Sequence, residues 1–294
     1  MTHTGPDPGS ARAVARGATH VSAPVVIKLG GRAFETPGAR HELAAALAVT
    51  PGPLVLVHGG GAEVSAWGER LGLKPRFHDG LRVTDEATLE VAAAVLAGLA
   101  NKRLVAVLRE AGLDAVGLSA LDGGIVTAAF HPNAEHLGRV GYVRAIETGL
   151  VETLLARGSL PVLASIAALD GQLLNINADD FAAALAVALG ARVLVLLSDT
   201  PGLKLAGERV AQLSSADLEG TLAHPDVQGG MRPKLEAARV ALIAGVPRVH
   251  IAAWTGPGTL HELLVEHAPG LAGNGSPAPG TTIWAGTIAE LARG

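Results

Sequence analysis

From Pro24 onward the chain alternates short runs of consecutive apolar residues with longer Ala- and Leu-rich segments of helical period. Val25-Val26-Ile27, Leu54-Val55-Leu56-Val57, Leu160-Pro161-Val162-Leu163, Val193-Leu194-Val195-Leu196-Leu197 and Val249-His250-Ile251 predict strands. Such runs have no polar face, so they belong in a parallel sheet covered by helices on both sides. The intervening segments predict helices over 39–49, 62–72, 86–111, 146–157, 178–190, 232–245 and 259–267. Between Gly123 and Val143 the rhythm changes. There, Thr127 to Phe130 and Arg139 to Val143 predict hairpin strands lying over the sheet. The Gly- and Pro-rich stretch from Ala268 to Gly280 predicts a surface loop, followed by Thr281 to Trp284 as an edge strand. The expected fold class is α/β with a mostly parallel central sheet.

Composition narrows the function. Of 294 residues 49% are apolar, enough for a large buried core. Aromatics at 3% are too few for a base-stacking platform, and a net charge of -4 without a basic block argues against a nucleic-acid partner. The chain has no cysteine, and residues 1–23 carry no apolar stretch of the kind a secretory signal needs. A cytoplasmic protein with a flexible tail at 1–23 is expected. The apolar run from Phe181 to Leu197 is interrupted by Gly190 and Arg192, so it predicts a buried helix and strand rather than a membrane span. Although there are 11 histidines, none has the spacing of a zinc site, and no protein-bound metal is expected.

In an open parallel sheet, ligands bind beyond the carboxyl ends of the strands. Three predicted strands run there into unusual sequence: Lys28-Leu29-Gly30-Gly31, His58-Gly59-Gly60-Gly61 and Ser198-Asp199-Thr200-Pro201-Gly202-Leu203. Glycine turns let backbone N–H groups approach phosphate oxygens, and a following helix start adds positive potential. Neither a Walker A pattern nor a G-x-G-x-x-G fingerprint is present, which disfavours an ordinary P-loop enzyme or Rossmann dehydrogenase.

Further polar residues stand at helix starts. In Gly229-Gly230-Met231-Arg232-Pro233-Lys234, Pro233 suits the first helical position. Two cations in that first turn oppose the helix dipole unless an anion binds there. Solvated surface cations are the alternative. Arg82, in Gly80-Leu81-Arg82-Val83-Thr84, is a natural carboxylate clamp, whereas Thr84, Asp85 and Glu86 are explained as capping residues. In Asn175-Ile176-Asn177-Ala178-Asp179-Asp180, Asn177 predicts an N-cap and leaves Asn175 as a substrate donor. Asp179 either serves the helix start or pairs with the lysines.

In order and approximate spacing these motifs, with Asn101-Lys102, resemble those of the amino acid kinase family from Val25 to Ile283. The resemblance implies a three-layer αβα sandwich that phosphorylates the side-chain carboxylate of N-acetyl-L-glutamate with ATP in arginine biosynthesis. By resemblance Lys28 and Lys234 stabilise the transferring group, and Asp179 orients them. Gly59, Gly60, Arg82 and Asn175 would bind the acyl-amino acid. Gly30, Gly31, Gly61, Gly230 and Met231 would line the phosphates, with Ser198, Asp199, Gly202, Leu203 and Lys204 bordering the adenosine. Magnesium would arrive with ATP, held by phosphates and water. Residues 24–294 would form one domain, with a substrate-binding lobe at 24–190 and a nucleotide-binding lobe at 191–294. The family's habit is a homodimer through the helix from Glu86 to Ala111, with a hexamer as the alternative.

The chain departs from the family pattern at Leu137-Gly138-Arg139-Val140-Gly141, where Tyr142 stands in place of an acidic residue. Asn274 to Thr281 looks more like arginine-insensitive relatives. The rival readings are a sister kinase for an aminoadipate derivative and a non-catalytic ligand sensor. Retention of both lysines and Asp179 argues against the sensor. A kinase–acetyltransferase fusion is not expected at this length.

Overall fold

Val25–Leu29 (β1), five buried residues in succession, is an inner strand of the main sheet in the computed structural model, which describes residues 22–30, 36–264 and 279–286. It pairs in parallel with Leu54–His58 (β2) on one side and with Val193–Ser198 (β11) on the other. In chain order the remaining strands are Phe77–His78 (β3), Leu81–Arg82 (β4), Ala115–Ser119 (β5), Val126–Phe130 (β6), Val140–Ile146 (β7), Leu160–Ala164 (β8), Ile166–Leu169 (β9) and Gln172–Ile176 (β10). Lys204–Leu205 (β12), Glu208–Arg209 (β13), Gln212–Ser214 (β14), Arg248–Ala253 (β15) and Thr281–Trp284 (β16) follow. Among the described residues the main sheet has eight strands in the order β14-β16-β15-β11-β1-β2-β8-β5. A second sheet, β6-β7-β10-β9, carries the hairpin expected from the middle of the sequence.

The helices are Pro37–Ala48 (α1), Gly61–Arg70 (α2), Glu86–Ala93 (α3), Asn101–Glu110 (α4), Ala134–Leu137 (α5), Gly149–Ala156 (α6), Ala178–Ala188 (α7), Leu218–Leu222 (α8), Met231–Ile243 (α9) and Gly258–Leu264 (α10). Two large apolar clusters reflect the parallel sheet's two covered faces. Alternate residues of β1 divide between them: Val26 joins the cluster containing α7 and α9, and Val25, Ile27 and Leu29 join that containing α1 and α10.

Four sequence expectations need correction. Thr281–Trp284 is not an edge strand, because it lies between β15 and β14, and three-residue β14 takes the edge. Pro233 is the third residue of α9 rather than its first; the helix starts at Met231 behind Gly230. Arg139 lies just before the hairpin strand β7, which runs on to Ile146. The helix expected over 86–111 is two α-helical pieces joined by a π-helical segment, Ala94–Ala100. The continuous helix Glu86–Glu110 is long and apolar enough to cross a membrane by length and composition. Part of it packs into the core, with Leu89, Val91, Val95, Leu96, Leu104 and Leu108 buried. Residues 1–21 of the expected tail, 268–278 of the expected loop and Gly31 lie outside the described residues.

Candidate active site

The carboxyl ends of β11, β1 and β2 lie side by side, with Lys28 in register between Leu196 and Val57. Lys28 is 7% exposed, and its Nζ is 2.8 Å from Asp179 Oδ1. A buried ammonium of this kind requires such a partner. Gly30 makes room for it, since a Cβ there would collide with Lys28 Nζ. Asp179 is held in the first turn of α7 by its neighbour Asn177. The Asn177 Oδ1 accepts from the N–H groups of Asp179 (2.7 Å) and Asp180 (3.2 Å). One residue thus caps the helix and aims the carboxylate.

Lys234 reaches the same carboxylate from α9. It is 8% exposed, its Nζ donates to Gly230 O at 2.9 Å, and it lies 4.0 Å from Asp179 Oδ2. Burial pushes the Lys234 ammonium below the usual lysine pKa; Asp179 and Asp199 oppose that shift and Lys28 adds to it. Two buried cations therefore share one carboxylate. Two cations so close together, where water screens poorly, favour an anion beside them.

Beside this pair opens a cleft of about 260 Å3, small enough for a metabolite rather than a drug-sized ligand. Lys28, Gly30, Gly59, Gly60, Gly61, Arg82, Asn175 and Asp179 all line it. Arg82 Nη2 donates to Gly61 O (2.6 Å) and Ser65 Oγ (2.7 Å), with the guanidinium 4.9 Å over the Phe77 ring. Asn175 Nδ2 donates to Thr84 Oγ1 at 3.2 Å, and the Thr84 hydroxyl donates to Arg82 O at 2.9 Å. Thr84, read from sequence only as a cap, thus links the Asn175 side chain to the backbone of Arg82. The N-cap of α3 is its neighbour Asp85.

Ser165, Leu96, Phe77, Val140 and Ile176 also line the cleft and were not legible as site residues. Ser165 directly follows β8, at the ligand end of the sheet, so strand topology was a usable signal for it. His58 is no general base. Its pKa is lowered to about 4, chiefly by burial, and the neutral ring is tied up in hydrogen bonds.

The remaining predicted residues stand outside the cleft lining. Ser198 ends β11 and its Oγ accepts from Thr200 N at 3.2 Å. Gly202 has φ +114 and sits so close to Gly280 that a Cβ would be 2.8 Å from its carbonyl carbon. Leu203 is fully buried, and its N–H donates to Thr281 Oγ1 at 2.8 Å. Lys204 is exposed on β12. Gly230 supplies the carbonyl that Lys234 takes, and Met231 opens α9, packed on the core. Arg232 does not join Lys234 in a second positive arm. It faces outward, bonded to Leu222 O and 3.8 Å from Glu236.

This fold and buried lysine arrangement coincide with a match of residues 23–253 to the amino acid kinase family, and the chain belongs to that family. It is 44% identical to the acetylglutamate kinase of Chloroflexus aurantiacus over 229 residues, covering 77% of this chain and 90% of the relative. It is 40% identical to the acetylglutamate kinase of Symbiobacterium thermophilum over 258 residues, covering 82% and 87%. Among solved structures it resembles N-acetylglutamate synthase from Neisseria gonorrhoeae complexed with coenzyme A and N-acetyl-glutamate. That likeness has a TM-score of 0.76 and 25% identity, covering 90% of this chain and 60% of the synthase. The Giardia carbamate kinase shares the fold, with a TM-score of 0.64 at 16% identity over 90% of this chain and 99% of that one.

Proposed function

We propose that this chain transfers the γ-phosphoryl group of ATP to the side-chain carboxylate of N-acetyl-L-glutamate, forming an acyl phosphate for arginine biosynthesis. The observation that carries this reading is the pair of buried lysines bridged by Asp179, with Lys28, Asp179, Arg82 and Asn175 lining one small cleft. The names of the relatives supply the acceptor. A carboxylate is already ionised near neutral pH, so the nucleophile needs no base. The carboxylate oxygen attacks the γ-phosphorus, the bond to the β–γ bridging oxygen breaks, and ADP leaves. The protein's work is alignment and neutralisation of charge.

In this reading Lys28 and Lys234 balance the charge of the phosphoryl oxygens, and Asp179, paired to both, orients them. Arg82 and Asn175 grip the acceptor's α-carboxylate and neighbouring polar groups. Gly60 offers its N–H group while Gly59, whose N–H is bonded to Leu29 O, borders the acceptor. The ends of β11 and α9, from Ser198 to Lys204 and at Gly230 and Met231, take the nucleotide. Residues 24–190 then act as the acceptor lobe and 191–294 as the nucleotide lobe. Magnesium enters as part of the ATP complex. That fits a transfer centre whose one carboxylate between the lysines is already paired to both. The same reading places the enzyme in the cytoplasm as a homodimer joined through the helix Glu86–Glu110 beside edge strand β5.

The test is ATP turnover with hydroxylamine trapping of the acyl phosphate, offered N-acetylglutamate, glutamate, aspartate and N-acetyl-aminoadipate. Trapping with N-acetylglutamate is expected. No trapped product from any acid would end the phosphotransfer reading, and preference for the aminoadipate compound would change the acceptor.

A further inference from the structure

His58 and Asn101 are buried polar residues that the transfer chemistry leaves unused, yet they connect directly to the glycine turn of the cleft. The His58 ring at the end of β2 is 4% exposed, with Nδ1 2.9 Å from Gly59 O and Nε2 3.0 Å from Asn101 Nδ2. A carbonyl only accepts, so Nδ1 carries the proton and Nε2 accepts from the amide. The orientation of that amide is itself forced. Asn101 Oδ1 accepts from Lys102 Nζ at 3.0 Å, and its Nδ2 faces three acceptors: His58 Nε2, Val162 O (3.0 Å) and Leu118 O (3.2 Å). Lys102 Nζ is anchored in turn on Gly117 O at 3.1 Å.

The backbone is shaped to admit this arrangement. A Cβ at Gly117 would collide with Asn101 Oδ1, which accounts for a glycine inside strand β5, where glycine weakens pairing. Asn101 follows directly on the π-helical segment Ala94–Ala100, and that segment also delivers Leu96 to the cleft. A Cβ on Gly60 would lie 2.8 Å from Leu96 Cδ2. The helix therefore reaches the glycine turn twice, through Leu96 of the π segment on Gly60 and through Asn101, the residue after it, by way of His58 on Gly59.

We propose that His58 and Asn101 are positioning residues that aim the Gly60 N–H into the cleft. A trans peptide is planar, and its C=O and N–H point in opposite directions. Pinning the Gly59 carbonyl on the His58 ring therefore turns the Gly60 N–H away from that ring. Among the described residues the Gly60 N–H has no backbone acceptor, and Gly60 lines the cleft. Asn101 acts one step further back, holding the ring in the tautomer that can donate to Gly59. The proposal rests on the phosphotransfer reading for its effect on rate, but the tautomer does not depend on that reading.

Two substitutions in the full chain separate positioning from packing. His58→Asn places an amide N–H where Nδ1 stood and keeps the bond to Gly59. His58→Gln places its amide where Nε2 stood and loses that bond. The expected result is a kcat within about threefold of the parent for His58→Asn and a loss of about 10- to 100-fold for His58→Gln, at similar melting temperatures. Equal kcat values for the two variants would overturn the proposal. Nitrogen-15 NMR of the His58 ring in the unsubstituted protein gives a second arm independent of turnover or variant folding. The Nδ1–H tautomer, unchanged between about pH 5.5 and 8, is expected. An Nε2–H tautomer, or titration within that range, would overturn it, whereas absence of acyl phosphate in the parent would count only against the phosphotransfer reading.

Discussion

In the proposed reading the transfer centre has an acceptor side and a nucleotide side, and the two are built differently. On the acceptor side, Lys28, Asp179, Asn175 and Arg82 are each held by named partners, and the cleft they line is already formed. On the nucleotide side, residues 199–203 form a loop from the end of β11 to the two-residue strand β12, whose Lys204 is exposed. Lys234 belongs to both sides, since it stands in the first turn of α9 and reaches Asp179 across the gap. The contrast teaches where rigidity is needed. A small acid with few atoms is oriented by fixed polar groups.

The largest expected effect comes from removing the shared carboxylate. Asp179→Asn keeps the shape but removes the carboxylate that pairs with both buried ammonium groups. It should cut kcat by about 10^3-fold and lower stability by about 3 kcal/mol, read from steady-state turnover and urea unfolding. A stable, active Asp179→Asn protein would erase the distinction between the two sides. Next comes Arg82→Ala, expected to raise KM for the acid by about 100-fold with a smaller change in KM for ATP. A shift mainly in ATP affinity would put Arg82 on the wrong side of the comparison.

The pH dependence follows from Lys234. Its folded-state pKa is depressed by burial, so the ammonium loses its proton at lower pH than a free lysine. Activity that needs the charged form is therefore lost as pH rises through that depressed value. The alkaline limb of kcat/KM should lie below the ordinary lysine pKa of about 10.4, and a limb at or above it would contradict the burial argument. The smallest effect is expected at the exposed end of the nucleotide loop. Lys204→Ala should alter KM for ATP by no more than about fivefold and leave the acid's KM unchanged.

Most of the frame was legible because the apolar runs are long and unambiguous: β1, β2, β8, β11 and β15 fall where the sequence placed them. The features missed depend on partners distant in the chain. Gln212–Ser214 is too short to show a period, and only pairing with Thr281–Trp284 makes it the sheet's edge. The π segment within 86–110 cannot be seen in helical periodicity, although Gly117 and Gly60 are shaped around the residues it presents. In the site, Lys28 stood out because a charge at the end of an apolar strand needs a partner, whereas Asp179 was open between a helix-start role and the lysine pairing that the structure shows. Arg232 misled for a related reason. Near a helix start two cations look alike in sequence, but only Lys234 turns inward, while Arg232 finds Leu222 O and Glu236 outside.

The account turns on Lys234 acting on the transferring group rather than merely holding the nucleotide. Lys234→Ala, assayed for kcat alongside a direct calorimetric Kd for the non-hydrolysable ATP analogue, tests this. A fall in kcat of about 10^2- to 10^3-fold with Kd changed by less than about fivefold is the predicted result. Comparable losses in kcat and in nucleotide affinity would contradict it.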